Sequence, residues 1–128
     1  MTRQISLVPY SVVLCAVLLG SLPASAHHAL TAYDRNDSKR VEGVVKEFRF
    51  VNPHARLILM VQARDGSMKA WDFEGGGVRR LQSRGLTANT IAAGDKITVS
   101  YNPMRNGSAG GFILGLTTAD GKTYATRR

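Results

Sequence analysis

The sequence predicts a mainly β protein: a small OB-like barrel of five to six strands, with one short helix between strands three and four, preceded by a signal-peptide helix. Three observations carry that prediction. Apolar residues alternate with period two in several separate stretches. One segment between the third and fourth stretches has helical spacing instead. The first stretch is long and changes phase midway, as a strand does when it bends around a closed barrel.

The elements follow in order. Residues 1–26 read as a cleavable signal peptide. Arg3 gives a positive start, "ISLVPYSVVLCAVLLG" gives an uncharged apolar run, and "ASA" gives small residues ahead of a cut after Ala26. The run is short for a membrane span, which needs about 20 residues. Cys15 follows Leu14 rather than a small residue and lies mid-run, so a lipid anchor is not expected. The mature chain is expected to be periplasmic or secreted and to carry no transmembrane segment.

Removing 26 of the 128 residues leaves 102, enough for one small domain. The only cysteine leaves with the signal, which excludes a disulfide and a thiolate metal site. One arginine and no acid are lost, so the net charge falls from +8 to +7. That balance favours anionic partners by long-range attraction: a small anion or an envelope polyanion, with nucleic acid disfavoured for an exported protein. Simple basic solubility explains it equally well.

Residues 27–38 are polar and aperiodic, either a flexible N-terminal arm or one laid on the domain; the barrel domain is expected over 39–128. "KRVEGVVKEFRFV" (39–51) is a long strand with Val41, Gly43 and Val45 in one phase and Phe48 and Phe50 in the other. The slip near Lys46, with Gly43 in the interior, predicts a bulge or sharp bend. "NPH" ends it, since Pro53 cannot continue a central ladder. "ARLILMVQA" puts Ala55, Leu57, Leu59, Val61 and Ala63 on one face. "RDGS" is a hairpin turn in which Gly66 takes positive φ. "MKAWDFE" places Trp71 and Phe73 together.

In "GGGVRRLQSRG", Val78 and Leu81 sit three apart and Gly85 provides a stop, giving about two helical turns. "LTANTIAAGD" tucks in Leu86 and Ile91. "KITVSY" turns Ile97, Val99 and Tyr101 inward. "NPMRNGSAGG" is a loop, and "FILGLTTADGKTYAT" a closing hairpin about Asp120-Gly121. This order, with its helix between strands three and four, is that of an OB-fold.

Several of these stretches recur together: "AHHA", "GVVKEFRFVNPHA", "WDFE", "LQSRGLTANTIAAGDKITV", and "NPMRNGSAGG" before "DGK". In their order and spacing the chain resembles the domain-of-unknown-function family 6152, small exported bacterial proteins, over nearly all of the mature length. The resemblance implies an exported β-barrel and no activity. The family pattern often has a serine where this chain has Ala29.

Three constellations are candidate sites. The first is His27, His28 and His54, the only histidines. After cleavage at Ala26, the α-amine and imidazole of His27 form a chelate that another imidazole completes. Nitrogen-rich tetragonal sites of this kind suit copper(II). The plainer alternative is a solvated tail and a turn histidine bonded to backbone. The second is the pair of Asn-Pro loops, which would present Asn52, His54, Arg56, Asn102 and Arg105 to an anion, guanidinium forks being suited to carboxylate, sulfate or phosphate. Alternatively, both Asn-Pro pairs only stop strands. The third is Trp71 with Phe48, Phe50, Phe73 and Tyr101, which read as core in a domain this small rather than as a base-stacking surface.

Catalysis has little support. Ser67, Ser83, Ser100 and Ser108 lack a recognisable base, Asp72 and Glu74 share one strand face, and "GGGV" lacks the phosphate-loop lysine. The sequence therefore predicts a binding module rather than an enzyme, with an anionic ligand as the first reading and copper as the alternative. Ligand identity and oligomeric state are not encoded in any motif.

Overall fold

A computed structural model describes residues 31–126 of the chain. The signal segment and both tail histidines, His27 and His28, lie outside the described residues.

Among the described residues, six strands and one helix follow the predicted order: β1 (Lys39–Arg49), β2 (Arg56–Gln62), β3 (Met68–Glu74), α1 (Val78–Gln82), β4 (Lys96–Pro103), β5 (Gly110–Thr118) and β6 (Thr123–Ala125). The sheet order is β3-β2-β1-β4-β5-β6, and a short parallel pairing of β3 with β5 closes the first five into a barrel. β6 is an added edge strand on β5. No helix among the described residues is long and apolar enough to cross a membrane.

The bulge in β1 decides how one strand serves two parts of the barrel. Val45 pairs with Leu59 and Glu47 with Ile58, so Lys46 is the extra residue. Before it, Val41 and Val45 face the core; after it, Phe48 and Phe50 do. Gly43 sits where a Cβ would lie 2.5 Å from the Met60 carbonyl oxygen and 2.8 Å from Leu59 Cγ, so Leu59 occupies the space a side chain would need. β1 ends two residues earlier than expected because β2 begins at Arg56, opposite Arg49.

The core is the inner face of these strands: Val45, Leu57, Leu59, Phe73, Ile97, Val99, Tyr101, Ile113 and Leu116. Leu81, Leu86 and Ile91 are buried in the same core, with Leu86 and Ile91 tucked in as the sequence indicates. The helix is shorter than two turns. It stops when Gly85, at φ +81°, donates to Gln82 and Leu86 donates to Leu81, the paired bonds of a glycine-terminated helix. The predicted positive φ at Gly66 is present, and Gly121 in the closing hairpin also has positive φ.

One expectation changes, and one alternative is decided. The second Asn-Pro pair does not stop its strand: Asn102 pairs with Phe112 and Pro103 with Gly111 inside β4. Pro103 is tolerated because its carbonyl, not its missing N–H, is used, accepting from Asp34 N at 2.8 Å. Of the two forms open to the arm in the sequence, the segment 31–38 takes the second and is laid on the barrel. Tyr33 bridges Met104, and Arg105 N donates to the Ala32 carbonyl at 2.9 Å.

Candidate functional site

The residues singled out as binding groups fall into two neighbouring clusters joined by Tyr33. The first lies where the β1–β2 loop meets the end of β3. Asn52 Oδ1 accepts from Val78 N at 3.0 Å and so caps α1, whose own N-cap residue, Gly77, has no side chain to do so. Arg56 is ion-paired with Asp72, its cross-strand diagonal neighbour, and its buried Nε has no partner among the described residues. His54 Nδ1 lies 3.1 Å from the Gly75 carbonyl and 3.2 Å from Glu74 Oε1. Facing two acceptors, Nδ1 is the nitrogen that donates, so in the neutral ring Nε2 is the nitrogen that can accept or ligate.

Glu74 holds this cluster together. Its other oxygen, Oε2, accepts from the Tyr33 hydroxyl at 3.0 Å. Its side chain is 15% exposed, so both contacts form in partly desolvated surroundings where charge-assisted bonds are strong. Arg56, Tyr33, Glu74 and Asp72 line a cavity of about 340 Å³ together with Met104 and Ser108 of the β4–β5 loop. The start of β2, the end of β3 and the β4–β5 loop thus border one cavity.

The second cluster holds the arm. Asn102 is buried, and its Nδ2 donates to the Asp37 carbonyl at 2.6 Å. Arg105 Nε donates to the Tyr33 carbonyl at 3.1 Å. All five predicted ligand residues are therefore in contact with other parts of the chain, and they do not converge on one point. Sequence reasoning missed Tyr33 and the role of Glu74. Asp72 and Glu74 share the outward phase of β3, which was the available signal; Tyr33, in an aperiodic arm, offered none.

The aromatics are packed as the core reading predicts. Phe73 is fully buried, with its ring 5.2 Å from Tyr101 in an edge-on arrangement and 6.3 Å from Trp71. Phe48, Phe50 and Trp71 are partly buried against this core. Arg79 and Arg80 lie on the wet face of α1.

Burial, and then the Glu74 carboxylate, push the Tyr33 phenol well above its ordinary value of 10.0. Burial also raises Tyr101. Below the ordinary value the phenol is protonated in both folded and unfolded chains. As pH rises past it, the unfolded chain releases the proton while the folded chain keeps it, so stability falls until the folded phenol also ionises. Tyr33→Phe is expected to make the fall in urea midpoint between about pH 9 and 11 shallower. Denaturation at stepped pH checks this, and an unchanged slope would refute it.

Residues 15–113 match the model of a family described as of unknown function, DUF6152. The chain belongs to that family. The DUF6152 match runs from within the apolar N-terminal stretch into β5 and takes in both clusters. In fold, the chain is similar to the mitochondrial single-stranded DNA binding protein Rim1 of S. cerevisiae, with a TM-score of 0.50 and 10% identity over 65% of this chain and 93% of that one. At that identity the likeness shows the OB-like fold alone. No curated protein matches the sequence.

Proposed function

We propose that this DUF6152 chain is an exported binding module, periplasmic or secreted, that takes copper(II) at a site anchored on His54. The observation that supports this reading is the setting of the imidazole. Nδ1 is held by Gly75 O and Glu74 Oε1, which leaves Nε2 as the ligating nitrogen. A ring backed by a carboxylate and a carbonyl in this way is oriented and made more basic for a metal.

His27 and His28 would supply the remaining nitrogens. His28 precedes Thr31 by three residues, and an extended chain spans at most about 3.3–3.6 Å per residue. Thr31 begins the segment that Tyr33 ties to Glu74, the same carboxylate that holds His54. A tether of that length would let the tail histidines reach this side of the barrel. With cleavage after Ala26, His27 contributes an amine and an imidazole, a donor set suited to copper(II). The reading is one of binding, not catalysis.

Mass determination of the exported protein fixes its N-terminus. Copper titration followed by electron paramagnetic resonance then tests the site. Nitrogen hyperfine structure is expected in the wild type and a simplified pattern in His54→Ala. Glu74→Gln, which keeps the shape but weakens the backing of the ring, is expected to lower copper affinity about 10- to 100-fold. Equal affinity in wild type and His54→Ala would overturn the assignment.

A further inference from the structure

Another cavity, of about 360 Å³, lies between the arm, the start of β1 and the β4–β5 loop, with Trp71 and Tyr101 in its lining. The Trp71 ring rests on Phe73, with centroids 6.3 Å apart and planes 29° apart, and meets the Tyr101 ring edge-on at 6.1 Å. Those contacts fix the plane of the indole. It is nevertheless only partly buried, and it borders the cavity. An aromatic ring already held in place loses little further freedom when a ligand is laid on it.

Four charged side chains line the same cavity: Asp34, Asp37, Lys39 and Arg105. Lys39 stands opposite Tyr101 in the β1–β4 register, so the two side chains leave the sheet on one face. The Tyr101 phenol feels the charges beside it: burial raises its pKa most, the Lys39 ammonium draws it down and the Asp37 carboxylate pushes it up. Lys39 lies 3.4 Å from Asp37, and Arg105 lies 3.7 Å from Asp34. Both pairs are about half exposed and longer than the about 2.7–2.9 Å of a strong charge-assisted bond, so each group keeps bonding capacity for a ligand. Two cations and two carboxylates leave the lining without net charge. An ion of either sign gains from one member of a pair and loses to the other. What fits is a neutral molecule with an apolar face and neighbouring hydroxyls, each able to donate and to accept.

We propose that this cavity binds a neutral pyranose sugar, its C–H face laid on the Trp71 indole and its adjacent hydroxyls shared between Asp37 and Lys39. The face of an indole is electron-rich and attracts the C–H hydrogens of a sugar ring. Of two neighbouring hydroxyls, one donates to the carboxylate and the other accepts from the ammonium, which uses both members of the ion pair. The volume is near the lower end of the about 300–1,000 Å³ of ligand pockets, which suits a single ring. A nucleobase would stack as well, but on a nucleic acid it arrives with phosphates that a lining without net charge does not neutralise. The same balance disfavours here the small anion suggested by the basic composition. The proposal does not depend on the copper reading, since neither His54 nor Glu74 lines this cavity.

Trp71 is the only tryptophan of the chain, so its emission reports on the cavity. The test is a titration of the full exported protein at pH 6 with the methyl pyranosides of glucose, galactose and mannose and with N-acetylglucosamine. Glucuronate, glucosamine and adenosine are the comparison ligands. At least one neutral sugar is expected to shift the emission saturably, with a dissociation constant in the millimolar range of a one-ring ligand. It is expected to bind about fivefold more tightly than glucuronate or glucosamine, whose added charge meets a like charge in the lining. Asp37→Asn keeps the shape at a half-exposed position and breaks the balance of charge. It is expected to weaken the neutral sugar about tenfold and to turn the preference towards glucuronate. Trp71→Ala is expected to abolish binding, read by saturation-transfer nuclear magnetic resonance because the fluorophore is gone; if that variant loosens the core, Asp37→Asn still decides. His54→Ala should leave sugar affinity unchanged, which separates this site from the copper site. No saturable response to any neutral sugar, equal or tighter binding of a comparison ligand, or wild-type affinity in Asp37→Asn would overturn the proposal.

Discussion

Gly110→Ala is expected to prevent stable closure of the barrel, lowering folding stability by about 4 kcal/mol or more. The closure is a short parallel seam in which Asp72 pairs with Gly110, Phe73 with Gly111 and Glu74 with Phe112. Gly110 has φ +134°, and a Cβ there would lie 1.8 Å from the Asp72 carbonyl oxygen and 2.7 Å from its carbon. Those are backbone atoms of the partner strand, which cannot swing aside as a side chain would. The strands must separate, and the bond from Asp72 N to the Ala109 carbonyl goes with them. Gly94→Ala is the control. Its φ is +94°, and nothing lies within 4 Å of the added atom, so only the local backbone strain of about 1–2 kcal/mol applies. Urea denaturation of both variants, followed by circular dichroism, makes the comparison. Equal costs would show that the seam contributes little.

Phe73→Ala is expected to cost about 3–5 kcal/mol, the range for deleting a buried aromatic ring. Phe73 is 0% exposed and stands opposite Leu57 in the β2–β3 register. It lies between Trp71 and Tyr101, which also touch each other at 6.1 Å. Its loss opens a cavity that rigid neighbouring strands cannot collapse, because β3 is fixed on both sides. Trp71 is the only tryptophan, so its emission reports directly on the change. A red shift and a lowered urea midpoint are expected together. Phe73→Leu, which refills much of the volume, is expected to cost about 1.5 kcal/mol. A wild-type midpoint in Phe73→Ala would contradict this account of the core.

Most of the barrel was legible because its signals are local and periodic. Alternation fixed the inward faces of β2 and β4, Gly66 and Gly121 marked the hairpins, and the phase change at Lys46 marked the bulge. The contacts around the candidate sites were not legible, since they join residues far apart in sequence. Asn52 reaches the start of α1 across 26 residues, and Tyr33 reaches Glu74 across 41. Single hydrogen bonds between polar side chains impose no period on the chain, so nothing in the sequence separates an asparagine that caps a helix from one that binds a ligand. The same holds for Asn102-Pro103. A proline normally argues against a central strand, and only the tertiary position of Asp34 shows why this one is accommodated.

Glu74 has one carboxyl group and two dependants, the Tyr33 hydroxyl on one oxygen and the His54 ring on the other. The segment around Tyr33 and the barrel-borne imidazole are therefore thermodynamically linked. By linkage, the effect of the docked Tyr33 hydroxyl on the hold over His54 equals, in free energy, the effect of the His54 contact on the hold over Tyr33.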